Sequence, residues 1–137
     1  FNCRMGDPET QPILFRLKGD LFKILFDASQ SRLNEHNIEW ENNSAITIVM
    51  AAKNYPNRPR INDEIIGLDS KNQDTYVFHA GTIIANSKIL TSGGRVLGIT
   101  AKAKTLDEAT NKAYELIDNI NFEGAQYRND IGKRAFK

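Results

Sequence analysis

The feature that most constrains this fold is one long amphipathic helix placed after a series of β-type runs. Thr105 and Glu108 have the spacing of a capping box, in which each side chain satisfies a backbone N–H at the other's position. Behind them Leu106, Ala109, Ala113, Leu116, Ile117 and Ile120 recur at helical spacing, which predicts a helix ending near Asn121. Its apolar face needs a second layer to cover it. The layer on offer is a set of strands. Residues 45–52 are a β-branched run, and residues 75–80 form another. Residues 82–84 and 88–90 flank Asn86-Ser87 and predict a tight hairpin. Gly93-Gly94 turns the chain into a fourth run, residues 95–101. Strands in sequence followed by one helix predict an α+β domain with a mainly antiparallel sheet.

The N-terminal part has a different texture. Asp7 reads as a helix cap, Pro8 as a first helical position and Glu9 as a complement to the helix dipole. Pro12 limits or bends that helix, because it lacks the amide proton the next turn needs. Gly19-Asp20 starts a second helix. Its Leu21, Ile24, Leu25 and Ala28 share a face that Phe22 and Phe26 widen, so it is expected to be largely buried. Residues 31–44 read as a polar connector that Ile38 and Trp40 tack onto the following domain. The division expected is therefore 1–35 and 36–137, with a loop over 53–64 around Pro56 and Pro59.

Composition excludes several classes of function. A formal charge of +1 over 137 residues gives no drive toward nucleic acid or acidic lipid. The single cysteine, Cys3, rules out an internal disulfide and fits a reducing, cytoplasmic setting. No apolar run reaches membrane-spanning length.

Chemistry concentrates in the first nine residues, Phe1-Asn2-Cys3-Arg4-Met5-Gly6-Asp7-Pro8-Glu9. Chain ends are usually quiet, so this cluster reads as the interior of a site and the chain as part of a longer protein. Asn2 and Arg4 share one side of an extended strand. An amide oxygen suits Mg²⁺, and a guanidinium two residues on suits a carboxylate or phosphate. Asp7 and Glu9 are placed to accept hydrogen bonds from an amine; a plain strand end leading to a capped helix is the alternative. A second candidate is Gly94-Arg95, where glycine backbone beside a cation makes a phosphate cradle or simply a turn with a solvated arginine. His79 is expected to be a hydrogen-bonded structural histidine, His36 to be solvated and Cys3 to be packed. Arg128, Asp130, Lys133 and Arg134 would dock the tail through ion pairs or stay solvated.

The stretch Phe1-Asn2-Cys3-Arg4-Met5-Gly6-Asp7-Pro8-Glu9-Thr10-Gln11-Pro12 resembles the phosphoribosylamine–glycine ligase family, whose pattern here is FNxRxGDPETQP. Further blocks agree in the same order: residues 49–52, 77–82, 93–101 and 122–135. The resemblance implies the last third of an ATP-grasp enzyme: the end of the ATP-grasp domain, then a small β-rich domain of the rudiment single hybrid kind. It implies an ATP-dependent ligation of glycine to 5-phosphoribosylamine through glycyl phosphate, in purine biosynthesis, by a cytoplasmic monomer. Within the family's Glu-x-Asn-x-Arg pattern, Asn2 is implied as a Mg²⁺ or Mn²⁺ ligand and Arg4 as the residue holding the acyl phosphate. Asp7 and Glu9 are implied as substrate contacts or as shapers of their loop. Gly94 and Arg95 are implied as neighbours of the ribonucleotide phosphate. ATP itself would be gripped by residues outside this chain, so the chain alone is expected to be inactive. The pattern departs at residues 54–59, where asparagines stand in place of the family's glycines around Tyr55-Pro56. A non-catalytic domain binding a phosphorylated ligand or a protein partner is the competing reading.

Overall fold

A computed structural model describes residues 4–34, 38–70 and 72–136. In chain order the elements are α1 (Thr10–Leu14), β1 (Leu17–Lys18), α2 (Leu21–Ser29), β2 (Glu39–Trp40) and β3 (Ser44–Ala51). They continue with β4 (Thr75–His79), β5 (Thr82–Ala85), β6 (Lys88–Thr91), β7 (Arg95–Ala103) and α3 (Leu106–Asn119), and end in a 3₁₀ turn, Lys133–Phe136. The central sheet has the order β3-β7-β4, with both ladders antiparallel. β5 and β6 form the expected hairpin, and Asn86 (φ 50°) and Ser87 (φ 60°) take the left-handed backbone that a two-residue turn requires.

Alternation along the strands produces two working faces. Ile46, Ile48, Ile99 and Ala101 join Ala109, Ala113, Leu116 and Ile117 of α3 in one buried cluster. The capping box forms as predicted: Thr105 Oγ1 accepts from the Glu108 N–H at 3.2 Å, and the Thr105 N–H donates back to Glu108 Oε2 at 3.4 Å. The opposite face carries the buried hydroxyl pair Thr47–Thr100 at 2.6 Å and is covered by α1. Gly98 lies on that face, with the Gln11 amide and a Thr47 methyl near its open side at ordinary packing distance.

A second anchor joins this N-terminal segment to the sheet. The Lys102 ammonium lies 5.0 Å from the centre of the Phe15 ring and donates to both carboxylate oxygens of Glu41 at 2.7 Å. Asn43 also donates to Glu41 at 2.7 Å. The hydrogen bond from Lys102, then that from Asn43, holds the Glu41 carboxyl below its ordinary value of 4.5. A carboxylate with a depressed folded pKa contributes stability above its unfolded pKa, and that contribution is lost as pH falls through the folded value. Glu41→Gln is therefore expected to flatten the acid limb. Urea midpoints of the native chain should fall more steeply than those of the variant below about pH 4.5, and parallel curves would remove Glu41 from the account.

Three expectations are corrected. First, α2 is not buried: it starts on schedule, with Asp20 accepting from the Lys23 N–H at 3.2 Å, but none of its residues is buried. Phe22, Leu25 and Phe26 are exposed, with Phe22 and Phe26 stacked on each other, because no described element packs on that face. Second, Asp7 and Pro8 precede the first helix rather than open it. That helix begins at Thr10 with no side-chain cap, and the Asp7 carboxylate turns instead toward Arg95. Third, Trp40 does not tack the connector onto the later sheet; it pairs with Leu17 in the β1–β2 ladder and stays half-exposed, while Glu41 makes the anchor. His36 lies outside the described residues. His79 is hydrogen-bonded as expected, its Nδ1 3.1 Å from Thr82 Oγ1, but at an exposed position. The helix α3 ends at Asn119 with Ile120 as its cap, close to the expected end near Asn121. No helix among the described residues is long and apolar enough to cross a membrane.

Candidate functional site

Arg95 and Pro8, the neighbour of Asp7, line one cleft of about 410 Å³. Its floor is the outer edge of β3, contributed by Thr47, Val49 and Ala51. Pro8 stands on one rim, Tyr55 and Arg95 close one end, and the tail from Gln126 to Ile131 supplies the far wall. The tail lies there because Ala51 exchanges two backbone hydrogen bonds with Gln126, at 2.7 and 2.9 Å. β3 is thus an edge strand that the C-terminal segment partly closes.

Each predicted residue has a definite place. Asn2 and Cys3 lie outside the described residues. Arg4 is exposed on the approach to Gly6. Gly6 is buried, and its carbonyl accepts both the Thr10 N–H at 2.9 Å and the Thr10 hydroxyl at 2.7 Å. The Glu9 carboxylate folds over Gly6 so closely that a Cβ there would collide with it. Glu9 is an exposed, flexible side chain, so it could swing aside if a Cβ were added at Gly6. Asp7 Oδ2 pairs with Arg95 Nη2 at 3.2 Å, with both side chains about half exposed, and Asp7 Oδ1 accepts from Gln11 Nε2 at 3.4 Å. The structure therefore brings Asp7 and Arg95 together, although the sequence separates them by most of the domain.

Gly94 is occupied differently from a bare cradle. Its carbonyl accepts the Ala52 N–H at 2.8 Å. A Cβ on it would stand 2.5 Å from the Tyr55 ring and 3.2 Å from Pro59. The glycine lets the 53–64 loop lie flat on the start of β7. Asn54, where the family pattern has glycine, takes φ 68°, so asparagine supports the left-handed residue this loop needs.

Two lining groups escape a reading of local sequence. Tyr55 sits in a loop with no periodicity, and nothing local aims it at Gly94. Arg128 is held by Asp130 through a two-pronged contact at 2.8 and 2.7 Å. That hydrogen bond lowers the Asp130 pKa and raises that of Arg128. Of the four tail residues weighed for ion pairs, this pair forms. Tyr114 of α3 donates its hydroxyl to the Arg128 carbonyl at 2.7 Å, which ties the cleft wall to the core helix. Burial is the main cause that raises the Tyr114 pKa. The signal for Arg128 was present in its i+2 acidic partner; its place on a cleft depends on a strand edge far away in sequence.

Among the described residues no group of three or more His, Cys, Asp or Glu could hold a metal ion. The groups present suit anions and amines: two guanidiniums that donate, a carboxylate that accepts and an amide that does both, beside an apolar floor.

Comparison with known proteins shows what the chain is similar to. The family model for the phosphoribosylglycinamide synthetase C domain matches residues 45–134. A phosphoribosylamine–glycine ligase of Ralstonia nicotianae is 47% identical over 137 residues, covering 100% of this chain and 32% of the relative. A bifunctional purine biosynthetic protein of Dictyostelium discoideum is 46% identical over 138 residues, covering 98% of this chain and 17% of the relative. The crystal structure of phosphoribosylamine–glycine ligase from Thermotoga maritima matches with a TM-score of 0.79 at 32% identity, over 94% of this chain and 32% of that one. The chain spans about a third of the length of the single-function relatives.

Proposed function

Because the chain belongs to the phosphoribosylglycinamide synthetase C-domain family, we propose that it is the C-terminal portion of a cytoplasmic ligase that joins glycine to 5-phosphoribosylamine with ATP. The observation that carries this reading is the meeting of the opening segment and the Gly-Gly-Arg turn at one cleft, through Asp7 and Arg95. Two separate blocks of the family pattern would be expected to meet if they shape a single substrate site.

In this reading the glycine carboxylate attacks the γ-phosphorus of ATP, and ADP leaves. The amine of phosphoribosylamine then attacks the carbonyl of the resulting glycyl phosphate, and inorganic phosphate departs. Arg4 is assigned to the acyl phosphate, where its fork of donors would stabilise charge that grows on the departing phosphate. Arg95, beside Gly94, is assigned to the sugar 5′-phosphate, and Glu9 to the shape of the loop that carries Asp7. Asn2 is assigned by the family pattern as one ligand of a Mg²⁺ or Mn²⁺ ion, which would neutralise the nucleotide's phosphates. Residues 1–35 are assigned to the end of an ATP-grasp domain. The exposed Phe22, Leu25 and Phe26 of α2 support that assignment, since an apolar face of this kind fits packing against further protein.

The test is glycine- and phosphoribosylamine-dependent release of ADP. The full-length protein carrying this chain is expected to sustain ADP release over many turnovers only when both substrates are present, and failure to do so would sink the ligase reading. The isolated 137-residue chain is expected to release none.

A further inference from the structure

Two arginines line the cleft, and they are held in contrasting ways. Arg128 is locked by both oxygens of Asp130 at 2.8 and 2.7 Å. Arg95 meets Asp7 through one nitrogen and one oxygen at 3.2 Å, with 46% and 50% of the two side chains exposed. A guanidinium has five N–H donors, so Arg95 keeps most of its fork for another acceptor. Half-exposed single contacts of this type are weak, since water competes for both partners. Asp7 also has somewhere to go. Its second oxygen already accepts from the Gln11 amide N–H at 3.4 Å, a contact that can hold the carboxylate when Arg95 lets go.

We propose that Asp7 is a placeholder anion for Arg95, displaced when a phosphate monoester enters the cleft. This rests on the ligase reading for the identity of the ligand, but the exchange itself follows from the pairing. A phosphate dianion offers three strong acceptor oxygens against one carboxylate contact, and it can fill the guanidinium fork that Asp7 leaves largely open. The carboxylate keeps Arg95 aimed across the cleft while the site is empty, so the guanidinium does not have to be ordered when ligand arrives. Once released, Asp7 remains next in sequence to the cleft-lining Pro8, on the same segment as Arg4. Asp7 is thus a positioning residue that competes with the ligand for Arg95.

Competition makes a prediction of sign. In the full-length protein, Asp7→Asn removes the internal competitor and is expected to tighten ribose 5-phosphate binding by roughly two- to fivefold, the range for breaking an exposed ion pair. Arg95→Ala should weaken binding, and adding Asp7→Asn to Arg95→Ala should then change nothing further. Titration calorimetry with ribose 5-phosphate, repeated with inorganic phosphate, reads all three. Equal tightening for both probes locates recognition in the phosphate alone; tightening for ribose 5-phosphate only adds the sugar. Weaker or unchanged binding to the Asp7→Asn protein would overturn the exchange and leave Asp7 as a strut, as would no measurable binding of either probe to it. Unchanged thermal unfolding of Asp7→Asn keeps a folding defect from posing as that result. ADP release is measured separately, so loss of the ligase reading and loss of the exchange are distinguishable.

Discussion

Arg4→Ala in the full-length protein is expected to lower kcat for glycine-dependent ADP release by roughly 10²–10³-fold, the usual cost of removing one donor aimed at developing charge. The reasoning is that a guanidinium holding an acyl phosphate matters most when the bond to phosphate is forming or breaking. An interaction made mainly in the transition state lowers kcat and kcat/KM together and leaves KM nearly unchanged. Arg4→Lys should recover only part of the loss, because an ammonium supplies charge without the planar fork. Structure makes the variant a fair test. Arg4 is exposed, and the Gly6 carbonyl holds the turn that follows by accepting from the Thr10 hydroxyl. A raised KM for glycine with unchanged kcat would move Arg4 from the reacting phosphate to ground-state binding.

What could be read from the sequence divides along a physical line. The capping box, the Asn86-Ser87 turn and the strand runs are local, and their chemistry acts within a few residues, so they were legible. The α2 helix shows the boundary of that method. Spacing of Leu21, Ile24, Leu25 and Ala28 identifies an apolar face, but periodicity does not say whether a covering layer lies within the same chain. Asp7 fails for a related reason. A carboxylate before a proline has a good local partner in free helix N–H groups, and sequence offers no sign that Arg95 will compete for it from across the sheet. The cleft was half legible. Arg95 and the opening segment were singled out, whereas Tyr55 and Arg128 reach it only through the edge of β3 and the Ala51–Gln126 pairing.

The same separation of local pattern from three-dimensional cover underlies the largest stability effect expected. Ile99 is fully buried at the centre of the sheet, paired with Ile48 on one side and Val77 on the other, and it belongs to the cluster under α3. Ile84 is the same residue type on a strand, yet it is 76% exposed. Truncating Ile99 to alanine removes three carbons from a site that the flanking strands prevent from collapsing, which costs about 2–5 kcal/mol. Truncating Ile84 removes the same atoms from water-facing surface and should stay within about 0.5 kcal/mol. Urea unfolding of the 137-residue chain and its two variants reads both. Comparable losses for the two would mean that Ile84 is covered in solution, and a small loss for Ile99 would mean that α3 does not seal the sheet at its centre. A midpoint shift without a change in slope is expected for Ile99→Ala, since a cavity at this position leaves the surface exposed on unfolding nearly the same.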